Sequence, residues 1–405
     1  MKLSKLPLLA RVAIAIVLGL AFGYIFPEWL SRIFVTFNSF FSQFLGFCIP
    51  LIILGLVAPG IADLGNNAGK LLLFTVGIAY GSTLFSGFMT YFSCEAVFPL
   101  IDVGTQNTGG AIVNPAEAML NSYFVIEIPP LFDVMTALVL AFVLGLGGTV
   151  SKNGGATIKS LLTDLKEIVE IVISRVIIPL LPLYIFGMFL NMSTSGSAFS
   201  IISTFGKVIG VIFVLHILLP LIQYFVAGSI VKKNPFKLLW TMMPAYATAL
   251  GTSSSAATIP VTLRQTLKNG VNEDVAGFCV PLCCTIHLAG STLKITATAL
   301  AVCMITGYPH DLATFAGFIC MLGIIMIAAP GVPGGAIMAA IGPLQSILGF
   351  GEADVALMIA VYIAIDSFGT ACNVVGDGAI ALVLDKIYKK PNTDVSTELT
   401  FQNQP

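Results

Sequence analysis

Residues 365–384 read IDSFGTACNVVGDGAIALVL, a run apolar enough to cross a bilayer that still carries two carboxylates and an amide. Placed on a helix, Asp366, Thr370, Asn373 and Asp377 fall at i, i+4, i+7 and i+11, which makes one polar stripe on an otherwise greasy cylinder. Charges at membrane depth are costly unless they face a protein interior and bind something. The stripe therefore predicts the wall of a solute or ion site.

The rest of the chain supplies the setting. Of its 405 residues 57% are hydrophobic and 10% are charged, against about 25% charged in a soluble domain. This composition predicts an all-α polytopic membrane protein. A net charge of -1 gives no basic or acidic field, so nucleic acid is excluded as a partner. The eight cysteines follow no metal spacing and read as buried thiols that act as small hydrophobes.

Long apolar segments near residues 8–27, 34–60, 69–93, 123–150, 167–190 and 199–230 each meet the length of a span. With the amino terminus inside, fifteen Lys and Arg fall on the inner side and only Arg32 and Lys207 outside, while Arg175 and Lys294 stay at membrane depth. This positive-inside bias places both termini in the cytoplasm. Residues 391–405 read as a polar cytoplasmic tail.

The second half is built differently. Pro235 to Gly270 is interrupted by GTSSSAATIP, and Leu312 to Phe350 by PGVPGGA. Each reads as a re-entrant hairpin, which membrane depth tolerates only where the tip is buried in protein or lines a cavity. A span with polar residues at its middle follows each hairpin: CTIHLAGST after the first, SFGTACNVVGD after the second. Paired interruptions in corresponding halves point to an inverted-repeat transporter with a midplane site. The expected total is eight transmembrane helices plus two re-entrant helical hairpins.

Four motifs occur in a familiar order: SSSAATIPVTLR, TIHLAGS, GVPGGAI and D-S-x-x-T-x-x-N-x-x-x-D. On these the chain resembles the dicarboxylate/amino acid:cation symporters, the family of the glutamate transporters, and is closest in motif to the bacterial serine/threonine:sodium symporters. The resemblance covers most of the sequence and is specific from Tyr246 to Lys386. It implies an elevator-type transporter in the bacterial plasma membrane, assembled as a homotrimer. Residues 1–230 would be mainly scaffold, with the third helix joining the transport core of residues 231–390.

The resemblance also implies roles for individual residues. Asp366 would hold the substrate amino group and Asn373 the substrate backbone, with Thr370 beside them. The serine tip, Ser253, Ser254 and Ser255, and the glycine tip, Val332, Pro333, Gly334 and Gly335, would close on the substrate from the inner and outer sides. Backbone N–H groups at such tips suit a carboxylate. A first sodium site would use Asp377, Asn373 and carbonyls near Cys283, with His287 in the motif, and a second would use Thr285. Hard cations prefer oxygen ligands of this kind. Tyr80 and Thr83 fit a third.

The departures from the family pattern narrow the substrate. Members that carry acidic substrates place an arginine where this chain has Gly369, so the missing guanidinium fork points to a small neutral amino acid such as serine, threonine or alanine. In the seventh span the family's N-M-D-G-T appears as His287, Leu288, Ala289, Gly290 and Ser291, which removes one carboxylate and puts an imidazole in place of an amide. Lys294 adds a cation at membrane depth, either paired with Asp366 or Asp377 or engaged in coupling. Sodium is the first expectation for the driving ion, and proton coupling through His287 or Lys294 is the alternative. A dicarboxylate is the alternative substrate, with Lys294 supplying the missing charge. No other cofactor is implied.

Two further classes share these features. A channel would have the polar lining but no pair of opposed gates. A membrane enzyme would need Ser254, His287 and Asp366 as nucleophile, base and orienter. The opposed hairpins are directly testable with single cysteines placed at Ser254 and Pro333. An impermeant thiol reagent is expected to reach the first from the inner side and the second from the outer side, and labelling of both from one side in every condition contradicts the topology.

Overall fold

The computed structural model of the protein describes residues 8–66, 70–103, 120–132, 134–150, 155–194, 198–327, 329 and 334–387. Within them the regular structure is helical, without strands. The first half contains α1 (Leu8–Gly23), α2 (Glu28–Asn66), α3 (Lys70–Val97), α4 (Val134–Val150), α5 (Ala156–Val172), α6 (Ile178–Thr194) and α7 (Ala198–Val231). A π-helical turn, Ile173–Ile177, joins α5 to α6, so Ala156–Thr194 forms one long helical run rather than the shorter span expected at 167–190. The span expected at 123–150 also differs, because helix begins only at Val134. Pro129 and Pro130 explain this, since consecutive prolines remove N–H donors and exclude the α conformation from the residue before them.

The second half contains α8 (Pro235–Thr241), α9 (Met243–Thr252), α10 (Ser255–Lys268), α11 (Glu273–Ile286), α12 (Ala289–Thr306), α13 (Leu312–Met326), α14 (Gly335–Ser346), α15 (Glu352–Ala364) and α16 (Asp366–Ile387). The order is hairpin, broken pair, hairpin, broken pair, as the interruptions predict. In the first hairpin Ser253 adopts a left-handed φ of 49° to end α9, and the Ser254 side chain accepts the Ala257 N–H at 3.3 Å to start α10. The helix breaks next at His287 and Leu288, and again at Ile365. Val332 and Pro333 of the second tip, and the tail at 391–405, lie outside the described residues.

Six described segments are long and apolar enough to cross a membrane: Glu28–Gly55, Leu71–Val97, Ala156–Thr194, Ser203–Val231, Glu273–Thr306 and Asp366–Ile387. The protein is an integral membrane protein of the polytopic α-helical kind. Burial separates these segments sharply. The α11–α12 window is 89% buried and the α16 window 83%, against 33% for α3, so the broken helices form the interior and the unbroken ones surround them. Helices α1 and α6 pack together, as do α2, α4 and α5, while α3 and α7 pack on α12 and α16. Thus α7, which a boundary at residue 230 leaves with the scaffold, lies against the central helices.

The close approach of α12 to α16 depends on Gly290. A Cβ there would sit 2.5 Å from the Gly369 carbonyl oxygen and 2.6 Å from Cys372 Cβ, a separation real side chains do not reach. Thr292 to Val302 of α12 are buried throughout, with small Ala and Thr side chains that let neighbouring backbones come near.

Candidate functional site

Asp366, Thr370, Asn373 and Asp377 all lie buried on one face of α16, as their spacing predicts. Two separate polar clusters form along this stripe. At its start the Lys294 ammonium reaches Asp366 Oδ1 at 2.7 Å and the Asp366 carbonyl at 3.3 Å, and it lies 3.5 Å from the centroid of the Tyr362 ring. The other carboxylate oxygen, Oδ2, accepts the Gly334 N–H at 2.9 Å, so the described edge of the glycine tip is fastened to Asp366. Gly335, also buried, opens α14 directly behind it. Of the two partners open to Lys294 on sequence grounds, Asp366 is the one it takes.

Further along, Asp377 Oδ1 lies 2.9 Å from His287 Nδ1, and His287 Nε2 lies 3.0 Å from the Ser82 hydroxyl of α3. Gln223 of α7 donates to that same hydroxyl at 3.0 Å. The contacts run as one chain from Gln223 through Ser82 and His287 to Asp377. A cavity of about 270 Å³ between α3, α7 and α16 is lined by Ser82, Gln223 and Gly376 among apolar side chains, and it meets the outer end of the relay.

Asn373 lies between the two clusters on α16. Its Oδ1 accepts the Gly290 N–H at 2.7 Å, and its Nδ2 donates to the Ser291 hydroxyl at 3.2 Å, which the Tyr362 hydroxyl also reaches at 3.1 Å. The carbonyl of the same glycine faces His216 Nε2 of α7 at 3.2 Å, so both sides of the Gly290 peptide are held by side chains. The Ser86 hydroxyl donates to the Ala289 carbonyl at 2.7 Å. The exposed backbone of the α11–α12 break is thereby satisfied from α3, α7 and α16, as unwound chain at membrane depth requires.

The remaining sequence-predicted residues are placed as follows. Ser253 Oγ meets Ser367 Oγ at 2.7 Å, which brings the serine tip to the residue next to Asp366. Ser254 caps α10, and Ser255 is buried at its first turn. The Thr370 hydroxyl donates to the Asp366 carbonyl at 3.0 Å. The Cys283 carbonyl accepts the His287 N–H at 2.9 Å, at the break. Exposed Thr285 donates to the Leu282 carbonyl within its own helix. On α3, Thr83 is buried and bonds the Ala79 carbonyl, while the Tyr80 hydroxyl lies 3.4 Å from the Cys320 carbonyl of α13. Sequence reading singled out Tyr80 and Thr83, but Ser82 and Ser86 are the α3 side chains that touch the α11–α12 break. His216, Gln223 and Tyr362 were missed as well, since each is an isolated polar group in an apolar helix.

Chemically, the arrangement offers buried oxygens, two hairpin tips that converge on one helix, and ionisable groups paired within the protein interior. Both ring nitrogens of His287 are engaged by Asp377 and Ser82, so it does not serve Ser254 as a base. The sequence matches the Sodium:dicarboxylate symporter family over residues 8–387, and the protein belongs to that family of transporters; it is not an enzyme. Among similar proteins, the serine/threonine transporters SstT of Acinetobacter baumannii strains ATCC 17978 and AYE are each 27% identical over 354 residues, covering 83% of this chain and 84% of the relative.

The buried Lys294–Asp366 pair generates a quantitative expectation. Removing one member leaves a charge in low dielectric, so Lys294→Ala and Asp366→Ala are each expected to destabilise the protein by about 3–5 kcal/mol. The double substitution is expected to cost clearly less than the sum. Melting in detergent measures all three, and strictly additive losses contradict a direct pair.

Proposed function

We propose that the protein is a secondary active symporter that imports a small solute with a single carboxylate, a small neutral amino acid being the first expectation, driven by a cation bound near Asp377 and Asn373. The carrying observation is the convergence of Ser253 and Gly334, one from each hairpin tip, on the start of α16 beside Asp366. Two tips that close on one buried polar stripe make a site with two gates, which a channel does not need. Gly369 supplies no guanidinium for a second carboxylate, in agreement with the name of the serine/threonine relatives. Serine, threonine and alanine are the amino acids of that size, and the groups around Asp366 bear on whether the solute carries an amino group at all.

Eight spans in an inverted repeat, a trimeric assembly and an elevator motion of α3, α7 and residues 231–390 against the remaining scaffold complete this reading. The family description and the oxygens of Asp377 and Asn373 favour sodium as the coupled ion. A second reading, proton coupling, is favoured by the imidazole set 2.9 Å from Asp377 and by the relay from it to the α3–α7–α16 cavity.

Uptake into proteoliposomes discriminates the two. An inward sodium gradient at equal pH is expected to drive accumulation, and Asp377→Asn is expected to abolish it while the protein stays folded, because the ion loses its counter-charge. Accumulation driven by a pH gradient without sodium, and lost in His287→Asn, overturns the sodium assignment. Failure of both gradients with every small carboxylate overturns the symporter reading.

A further inference from the structure

The seat in which the resemblance places a substrate amino group is taken by the protein itself. An ammonium has three N–H donors, and Lys294 directs them at a carboxylate oxygen 2.7 Å away, a carbonyl oxygen 3.3 Å away and the face of Tyr362. Asp366 is equally committed, with Oδ1 on Lys294 and Oδ2 on the Gly334 N–H. A second ammonium arriving with a solute would have to expel Lys294 and leave it without a counter-ion in an interior where it is 1% exposed. Gly369 makes room for this occupancy. A Cβ at that position would lie 2.7 Å from Lys294 Cε and 2.8 Å from Nζ, so the space a side chain would fill there holds the end of the lysine.

We infer that Lys294 is a tethered stand-in for the substrate amino group, and that the transported solute is a small monocarboxylate lacking an amino group, of the 2-hydroxy or 2-oxo acid class. This deepens the symporter reading and rests on it. The single carboxylate follows from charge. Lys294 is the one buried Lys or Arg among the described residues, and its donors are used by Asp366 and Tyr362, so no fixed cation is left for a second acid. The neutral 2-oxygen follows from the surroundings, where the Ser253 and Ser367 hydroxyls meet beside the neutralised pair. Lys294 is thus a specificity-determining residue.

Two pairs of probes isolate the amino group: lactate against alanine, and glycerate against serine, with members that differ only in a 2-hydroxyl or a 2-ammonium. Each radiolabelled acid is offered to proteoliposomes holding the full-length protein, under a sodium gradient and, separately, under a pH gradient, with malate as the two-carboxylate control. The wild type is expected to accumulate the hydroxy acid at least tenfold over its amino partner under the gradient that drives it. Lys294→Met frees Asp366 and is expected to move that ratio at least tenfold toward alanine and serine, a change of preference that mere loosening of the fold does not produce. If that variant does not fold, the wild-type ratios decide alone. Preference of the wild type for alanine or serine overturns the inference while leaving the symporter intact, and preference for malate overturns its single-carboxylate part. No accumulation of any probe under either gradient removes the symporter reading and the inference with it.

Discussion

Two carboxylates on one buried helix set the terms for the rest of the molecule. Asp366 and Asp377 stand three helical turns apart on α16, where isolated charges would be prohibitive. Each is compensated from a different part of the chain. Asp366 takes the Lys294 ammonium and the Gly334 N–H, and Asp377 takes the His287 imidazole. Both side-chain partners sit on or beside the α11–α12 break, so that break and α16 are held together by charge and hydrogen bonding as well as by packing. The unbroken helices α3 and α7 contribute a hydroxyl and an imidazole that meet backbone carbonyls between them, and the Gln223 amide bonds Ser82.

The fold class was legible because its signals are local and periodic. Period-four spacing in 366–377, glycine and serine runs inside apolar segments, and a polar insertion at 284–292 each announce themselves within a short window. The start of α4 was missed, although Pro129 and Pro130 stand inside the apolar run expected to span and bar helix before Val134. The site was only half legible. Ser82, Ser86, His216, Gln223 and Tyr362 are single polar residues in long apolar helices, and their partners lie tens to hundreds of positions away in the chain. No periodicity marks such a residue. Buried hydroxyls in membrane helices often bond their own carbonyls, as Thr83 and Thr90 do here, so residue type alone does not distinguish Ser82 from Thr83.

The pairing of Lys294 was left open by the sequence for a related reason. Positions 366 and 377 are both acidic and on one face, and which of them a lysine on another helix reaches depends on the relative placement of α12 and α16. That placement follows from Gly290 and Gly369, whose missing side chains let the helices close and let the lysine stem pass. The same contacts couple the site's parts physically. Asn373 binds the Gly290 N–H and Ser291, and the Ser291 hydroxyl leads on to Tyr362, over whose ring the Lys294 ammonium lies. A cation near Asp377 and a solute near Asp366 would therefore meet one helix three turns apart, with Asn373 between them.

Coupling between two ligands is a reciprocal free energy, and it is measured most directly by binding rather than by flux. Calorimetric titration of the transported solute onto the purified protein, across a series of sodium concentrations and pH values, reads it out. Two sites on one helix predict that solute affinity rises by about fivefold or more with one of the two cations, and that this dependence disappears in Asp377→Asn. Solute affinity indifferent to both sodium and pH would contradict a cation-coupled site built on α16.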